Sequence, residues 1–176
     1  MKKKDLVADY KYFQVKRKSS EDGKEYLYVD VKNKVEFILI YNDEIYWRKE
    51  STPAHCEDRT DFNYYPFSGT IDIGEMPLQA LERKSEEEAG LVITKSNILY
   101  QGYFFESKHI SSIAHLFIVE VLEAKHVEPR TDRTFWKTFG KTLAAKKDVF
   151  LKEMANKQIE TTVSLEFLAT LLKTLK

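Results

Sequence analysis

Apolar and polar positions alternate along the first third of the chain with the two-residue period of β-strands. Residues 10–16 carry Tyr10, Tyr12 and Phe13, and residues 25–31 set Leu27, Val29 and Val31 against Tyr26, Tyr28 and Asp30. Between them, Asp22-Gly23 is a hairpin turn signal, because a tight turn needs residues that accept positive φ. Residues 35–41 form an almost continuous apolar, β-branched run, as expected of a strand buried on both faces. Asn42-Asp43 then turns the chain into residues 44–48, the second strand of another hairpin.

Residues 49–63 are polar and irregular, with Pro53, His55, Cys56 and Asp58, and predict a surface loop. Two further strands are expected at 98–105 and 113–122, the latter alternating around His115 and Glu120. A charged loop at 123–133 and a short strand at 134–139 follow. The last third reads as helical. Residues 143–155 mix Leu143, Val149, Phe150, Leu151 and Met154 with lysines, and Leu165, Leu168, Leu171, Leu172 and Leu175 recur at helical spacing behind an N-cap at Thr161 or Thr162. Strands, a helix, strands and then helices predict an α+β or mixed sandwich rather than a doubly wound parallel sheet. No repeat or low-complexity linker divides the sequence, so one domain over residues 1–176 is expected.

Charge narrows the function classes. The 176 residues include 28 basic and 28 acidic side chains. That neutral balance argues against gripping a nucleic-acid backbone, which calls for a basic excess. No run approaches the ~20 apolar residues of a bilayer span. Lys2, Lys3 and Lys4 precede no apolar core, so no secretory signal is expected and a cytoplasmic location is. Cys56 is the one cysteine; His55 beside it cannot readily converge on the same metal, and the other histidines are dispersed.

The informative stretch is residues 69–91, a loop feeding a helix. Pro77 suits a first helical turn, where its missing N–H is not required, and Gly90 is placed to end the helix in a left-handed conformation. Leu78, Leu81, Ser85 and Ala89 predict the inward face. Lys84, Glu87 and Glu88 fall together elsewhere, at spacings of three and four residues, with Lys84 expected in solvent. Glu86, Glu87 and Glu88 crowd the C-terminal end, where the helix dipole disfavours anions. A helix that keeps them there is either strongly solvated or holds a cation.

The spacing of Gly69, Glu75, Arg83, Glu87, Glu88, Gly90 and Leu91 resembles the signature of the Nudix hydrolases, matching seven of its nine specified positions. The resemblance implies an α/β/α sandwich with a mixed sheet, here with an N-terminal β-hairpin extension and C-terminal helices. It implies hydrolysis of a nucleoside diphosphate linked to another group. Mg²⁺ or Mn²⁺ would sit on Glu87 and Glu88 with help from the Gly69 carbonyl, and Glu75 and Arg83 would pair to brace the loop. A looser likeness, to the subfamily acting on ADP-ribose and nucleotide sugars, covers most of the chain. It implies a homodimer built by residues 1–32 and an acidic general base from a late loop, Asp132 or Glu128. Phe62, Tyr64, Tyr65 and Phe67 are placed to line a pocket for a small nucleotide, and Arg48 to meet either a phosphate or a surface acid.

Two positions depart from the signature. Lys84 stands where the family has a metal-binding glutamate, and Ser85 where it has an aliphatic residue. An ammonium in place of a carboxylate changes the local charge by two units and puts a cation where a metal should sit. Two expectations follow: a Mg²⁺-dependent pyrophosphohydrolase with weakened metal binding, or a binding module that has kept the pocket and lost turnover.

Overall fold

The computed structural model describes residues 5–11, 13–51, 62–130, 140–156, 170, 171 and 173. Three antiparallel strands, β1 (Asp5–Asp9), β2 (Phe13–Ser19) and β3 (Glu25–Val31), form an N-terminal extension. The strand expected at 10–16 starts late, at Phe13. Tyr10 lies in the β1–β2 turn, its N–H donating to Phe13 O at 2.9 Å and its ring 4.7 Å from that of Phe13.

β4 (Lys34–Tyr41) and β5 (Glu44–Glu50) form the second expected hairpin. Asn42 and Asp43 turn it with φ of 53° and 60°, the left-handed geometry of a two-residue hairpin. β6 (Asn63–Tyr65) pairs with β5, and β7 (Phe67–Thr70) with the first half of β4. Along its other edge β4 runs parallel to β9 (Ile110–His126), which is hairpinned to β8 (Leu91–Ser107). β3 joins the other end of β9 through Val29 and Ile110.

β4 is buried on both faces, as its apolar run predicts. Val35, Phe37 and Leu39 pack on one side with Phe67, Leu91, Phe117, Val119 and the Ala80 and Leu81 side chains of α1 (Pro77–Lys84). Ile38 packs on the other with Ile45, Trp47, Tyr64, Leu116, Ile118, Leu171 and Phe150 of α2 (Lys147–Asn156). Each such fully buried side chain contributes roughly 1.5–3 kcal/mol of transfer free energy. A helix therefore lies on each face of a mixed sheet, the sandwich the resemblance implies.

Several local expectations are corrected. Residues 123–126, expected in a loop, continue β9 because the start of β8 pairs with them, His126 opposite Leu91. Residues 143–146, expected to be helical, belong to β10 (Lys141–Lys146), which takes the edge of β5 with Leu143 opposite Trp47; the helix starts only at Lys147. The loop at 52–61, the strand expected at 134–139, the proposed caps Thr161 and Thr162, and four of the five leucines of the last helix lie outside the described residues. Among the described residues no helix is long and apolar enough to cross a membrane.

Candidate functional site

α1 is presented by the loop after β7 and starts at Pro77, with Gln79 Oε1 accepting the Met76 N–H at 2.9 Å. Ala80 and Leu81 turn onto the sheet, while Leu78 is exposed, contrary to the expected inward face. The reason is helical spacing. Residues three and four positions on share a side of the helix, so Lys84, four after Ala80, and Ser85, four after Leu81, inherit the buried stripe. Lys84, expected in solvent, is only 8% exposed.

The last turn is not α-helical. Ser85–Ala89 form a π-helical turn, a feature often found at functional sites. Ser85, fully buried, donates its Oγ–H to Leu81 O at 2.9 Å. Gly90 ends the turn at φ 67°, and a β-carbon there would lie 2.5 Å from Val127 O.

Arg83 clamps the loop to the helix. Its Nε and Nη2 donate to the two carboxylate oxygens of Glu75 at 2.8 Å each, and Nη2 also reaches Thr70 O at 3.0 Å. Such a fork is both stronger and more directional than a single charged hydrogen bond. Glu75 also accepts the Asp72 N–H at 2.9 Å. The bonds from Arg83, ahead of that backbone bond, pull its pKa down to about 2, and Glu75 in turn raises that of Arg83. This is the brace the resemblance implies.

Beside the clamp, the remaining helix carboxylates meet cations. Lys84 Nζ is 2.6 Å from Glu87 Oε2 and 3.8 Å from Glu88 Oε1. Arg83 Nη1 reaches Glu87 Oε1 at 3.4 Å, and Arg48 Nε lies 3.9 Å from Glu88 Oε2. Arg48 is buried rather than held out for a ligand. Its Nε donates to Glu50 at 2.9 Å and its Nη1 to Thr142 Oγ at 3.3 Å, while the Thr142 hydroxyl donates to Glu88 O at 2.5 Å. Of the two roles weighed for Arg48, the structure displays pairing with acids. Strand alternation sends it there: Ile45 and Trp47 face one core, so Arg48 faces α1.

The other expected residues are scattered. Phe67 is wholly buried and stacked on Phe37 with ring centroids 5.2 Å apart, so it is core and not pocket wall. Tyr64 is buried edge-on to Trp47, and its hydroxyl donates to Glu153 at 2.5 Å; burial and that bond push its pKa up to about 12. Phe62 lies under Lys49, and half-buried Tyr65 sits opposite Arg48 in register. Glu128 is exposed on the segment whose Pro129 abuts Gly90, so it passes the end of the helix. Asp132 lies outside the described residues. A cavity of about 290 Å³ opens between Arg83, Glu86, Glu87 and Arg130, with Arg130 Nη2 4.0 Å from Glu86 Oε1.

Glu50, Thr142 and Arg130 belong to this neighbourhood and were not singled out from the sequence. Glu50 was legible as a neighbour of Arg48 on the same strand face. Thr142 fell between the strand expected at 134–139 and the helix expected from 143, in a stretch assigned to neither.

The expected divalent ion can be tested against this donor set. Among the described residues no group of three or more His, Cys, Asp or Glu side chains is arranged to hold a metal ion. Mg²⁺ needs hard anionic oxygens with room for its own water shell. Here Glu87 and Glu88 are each already met by two cationic side chains, and Lys84 lies between them. As arranged, the residues do not fit the ion.

No protein-family model matches the sequence, and no curated protein does. Among solved structures, the crystal structure of an ADP compounds hydrolase matches 98% of this chain and 91% of its own, with a TM-score of 0.68 and 13% identity. The chain therefore has a Nudix-like α/β fold, and at that identity the likeness defines the fold alone. On that fold, the first helix carries the arginine–glutamate clamp and a buried lysine among its acids.

Proposed function

We propose that this chain binds a nucleoside diphosphate linked to another group, ADP-ribose or a nucleotide sugar first among the candidates, beside α1. One observation carries the reading. The segment from Gly69 to Leu91 folds as the loop-and-helix unit of the signature, clamped by Arg83 on Glu75. Two further features support it: the fold follows a hydrolase of ADP compounds over nearly the whole chain, and a cavity of about 290 Å³ opens beside the clamp, with the exposed Arg130 guanidinium in its wall together with Glu86 and Glu87. A guanidinium suits phosphate oxygens, and a pocket near 300 Å³ is at the small end of ligand sites.

The buried Lys84 favours binding without metal-assisted turnover. A second reading is Mg²⁺- or Mn²⁺-dependent hydrolysis of the same compound, which for ADP-ribose gives AMP and ribose 5-phosphate. It is favoured by Glu87 and Glu88, which keep two of the family's carboxylate positions. It would also require Glu128 or Asp132 as base. The test is a thermal-shift titration with ADP-ribose and with a nucleotide sugar, followed by an assay for AMP. Saturable stabilisation with no AMP is the expected result. AMP that appears only with divalent ion would select the second reading, and no stabilisation by either compound would overturn both.

A further inference from the structure

We infer that Lys84 is the resident cation of this site, standing where a divalent ion would stand, so that the diphosphate ligand is bound without metal. The inference builds on the ligand reading above. Three observations carry it.

The first is that the lysine stem is packed into the site. A β-carbon built at Gly69 would lie 2.6 Å from both Cγ and Cδ of Lys84, so residue 69 has room for the lysine stem only because it has no side chain. Next to it Ser85, in the position where the signature has an aliphatic residue, is fully buried and tied to Leu81 O. This lysine is therefore not a surface residue that happens to lie near two acids.

The second is the placement of the charge. The ammonium is 2.6 Å from one helix carboxylate and 3.8 Å from the other, with only a tenth of the side chain reaching solvent. Arg83 and the buried Arg48 meet the same two carboxylates. An incoming dication would have to compete with three positive charges already set against those carboxylates.

The third is the charge balance. Three carboxylates around one dication leave one net negative charge, and so do two carboxylates around one ammonium. Exchanging glutamate for lysine at residue 84 thus reproduces the charge of a metal-loaded site with no metal in it. An ammonium is a compact point charge with three donors, and here it lies 2.6 Å from Glu87 beside the cavity that Glu87 lines.

The experiment compares wild type with Lys84→Glu and Lys84→Met, reading Mn²⁺ uptake by calorimetry and ADP-ribose affinity in EDTA and in excess Mg²⁺. Wild type should take up no Mn²⁺, and its ADP-ribose affinity should agree within about twofold between the two buffers. Lys84→Glu should gain Mn²⁺ binding, and its ligand affinity should fall about tenfold in EDTA. Should the added carboxylate prevent folding, Lys84→Met keeps the stem over Gly69 and removes only the charge, and it should still take up Mn²⁺ where wild type does not. Mn²⁺ binding by wild type, or a tenfold loss of its ligand affinity in EDTA, would overturn the inference. If no variant bound ADP-ribose in either buffer, the ligand reading would fall, while the Mn²⁺ titration would still decide the role of Lys84.

Discussion

At Glu75 the fork from Arg83 gives the fold a specific acid sensitivity. Its carboxyl sits at about 2 against an ordinary 4.5. The folded chain therefore binds fewer protons than the unfolded one between those values. The stabilisation is complete above about pH 4.5 and is lost as pH falls through about 2. Glu75→Gln should cost about 1–2 kcal/mol at neutral pH and should flatten the decline of stability over that window. Urea titrations at neutral pH and near pH 3 measure both, and an unchanged acid decline would place its origin elsewhere. Gly69→Ala should cost about 1–3 kcal/mol, because the new methyl group meets the Lys84 stem. In Gly69→Ala/Lys84→Ala the clash is gone, so the two changes should cost less together than their sum, a coupling a double-mutant cycle reads directly. The resemblance to the signature made the Glu75–Arg83 pair legible. Helical spacing also contained the burial of Lys84, four residues after Ala80, but the charge of the side chain pointed to solvent and outweighed the spacing. Phe67 was misjudged in the same way, by residue type ahead of strand alternation, and for Arg48 the acid partner was foreseen but not the burial.

At the scale of elements, the signals that worked were local and those that failed were not. Asn42-Asp43 and Asp22-Gly23 announce their hairpins because turn chemistry is written in the turn itself. Residues 141–146 hold only weak alternation, and they are a strand because the edge of β5 lies open to them, a partner that lies about a hundred residues away in sequence. β9 outruns its expected end because its outer positions are polar, which reads as loop until β8 is placed beside it. The π-helical turn has no sequence signal that helical periodicity can show. Its closing residue does. Gly90→Ala would force a methyl group into the left-handed region and toward Val127 O, and it should cost about 2 kcal/mol. Thermal unfolding measures that cost. A neutral effect would mean that β8 can start without this turn.

For the whole molecule, the mixed sheet with a helix on each face was legible from the order of elements and the signature together. What the sequence could not show was where the N-terminal extension joins the sheet, with Ser111 Oγ donating to Asp30 and accepting from the Val31 N–H. β3 meets the rest of the sheet at Val29 and Ile110, with Val29 N–H donating to His109 O at 2.7 Å. Leu6, Val7, Tyr10, Tyr26 and Leu27 on that extension are each more than half exposed. We propose that a second copy covers it, and deleting residues 1–32 should convert a dimer into a monomer or an aggregate by light scattering. A truncated chain that remained a well-folded dimer would assign the interface to another surface.

The central claim is that a Nudix-like fold here holds a diphosphate compound in a site whose cation is its own lysine. Its most direct test is calorimetric titration of the wild-type chain with ADP-ribose, in EDTA and in excess Mg²⁺, with AMP assayed in the same solutions. The account predicts saturable binding of equal affinity in both and no AMP in either. Binding or AMP release that appears only with Mg²⁺ would contradict it.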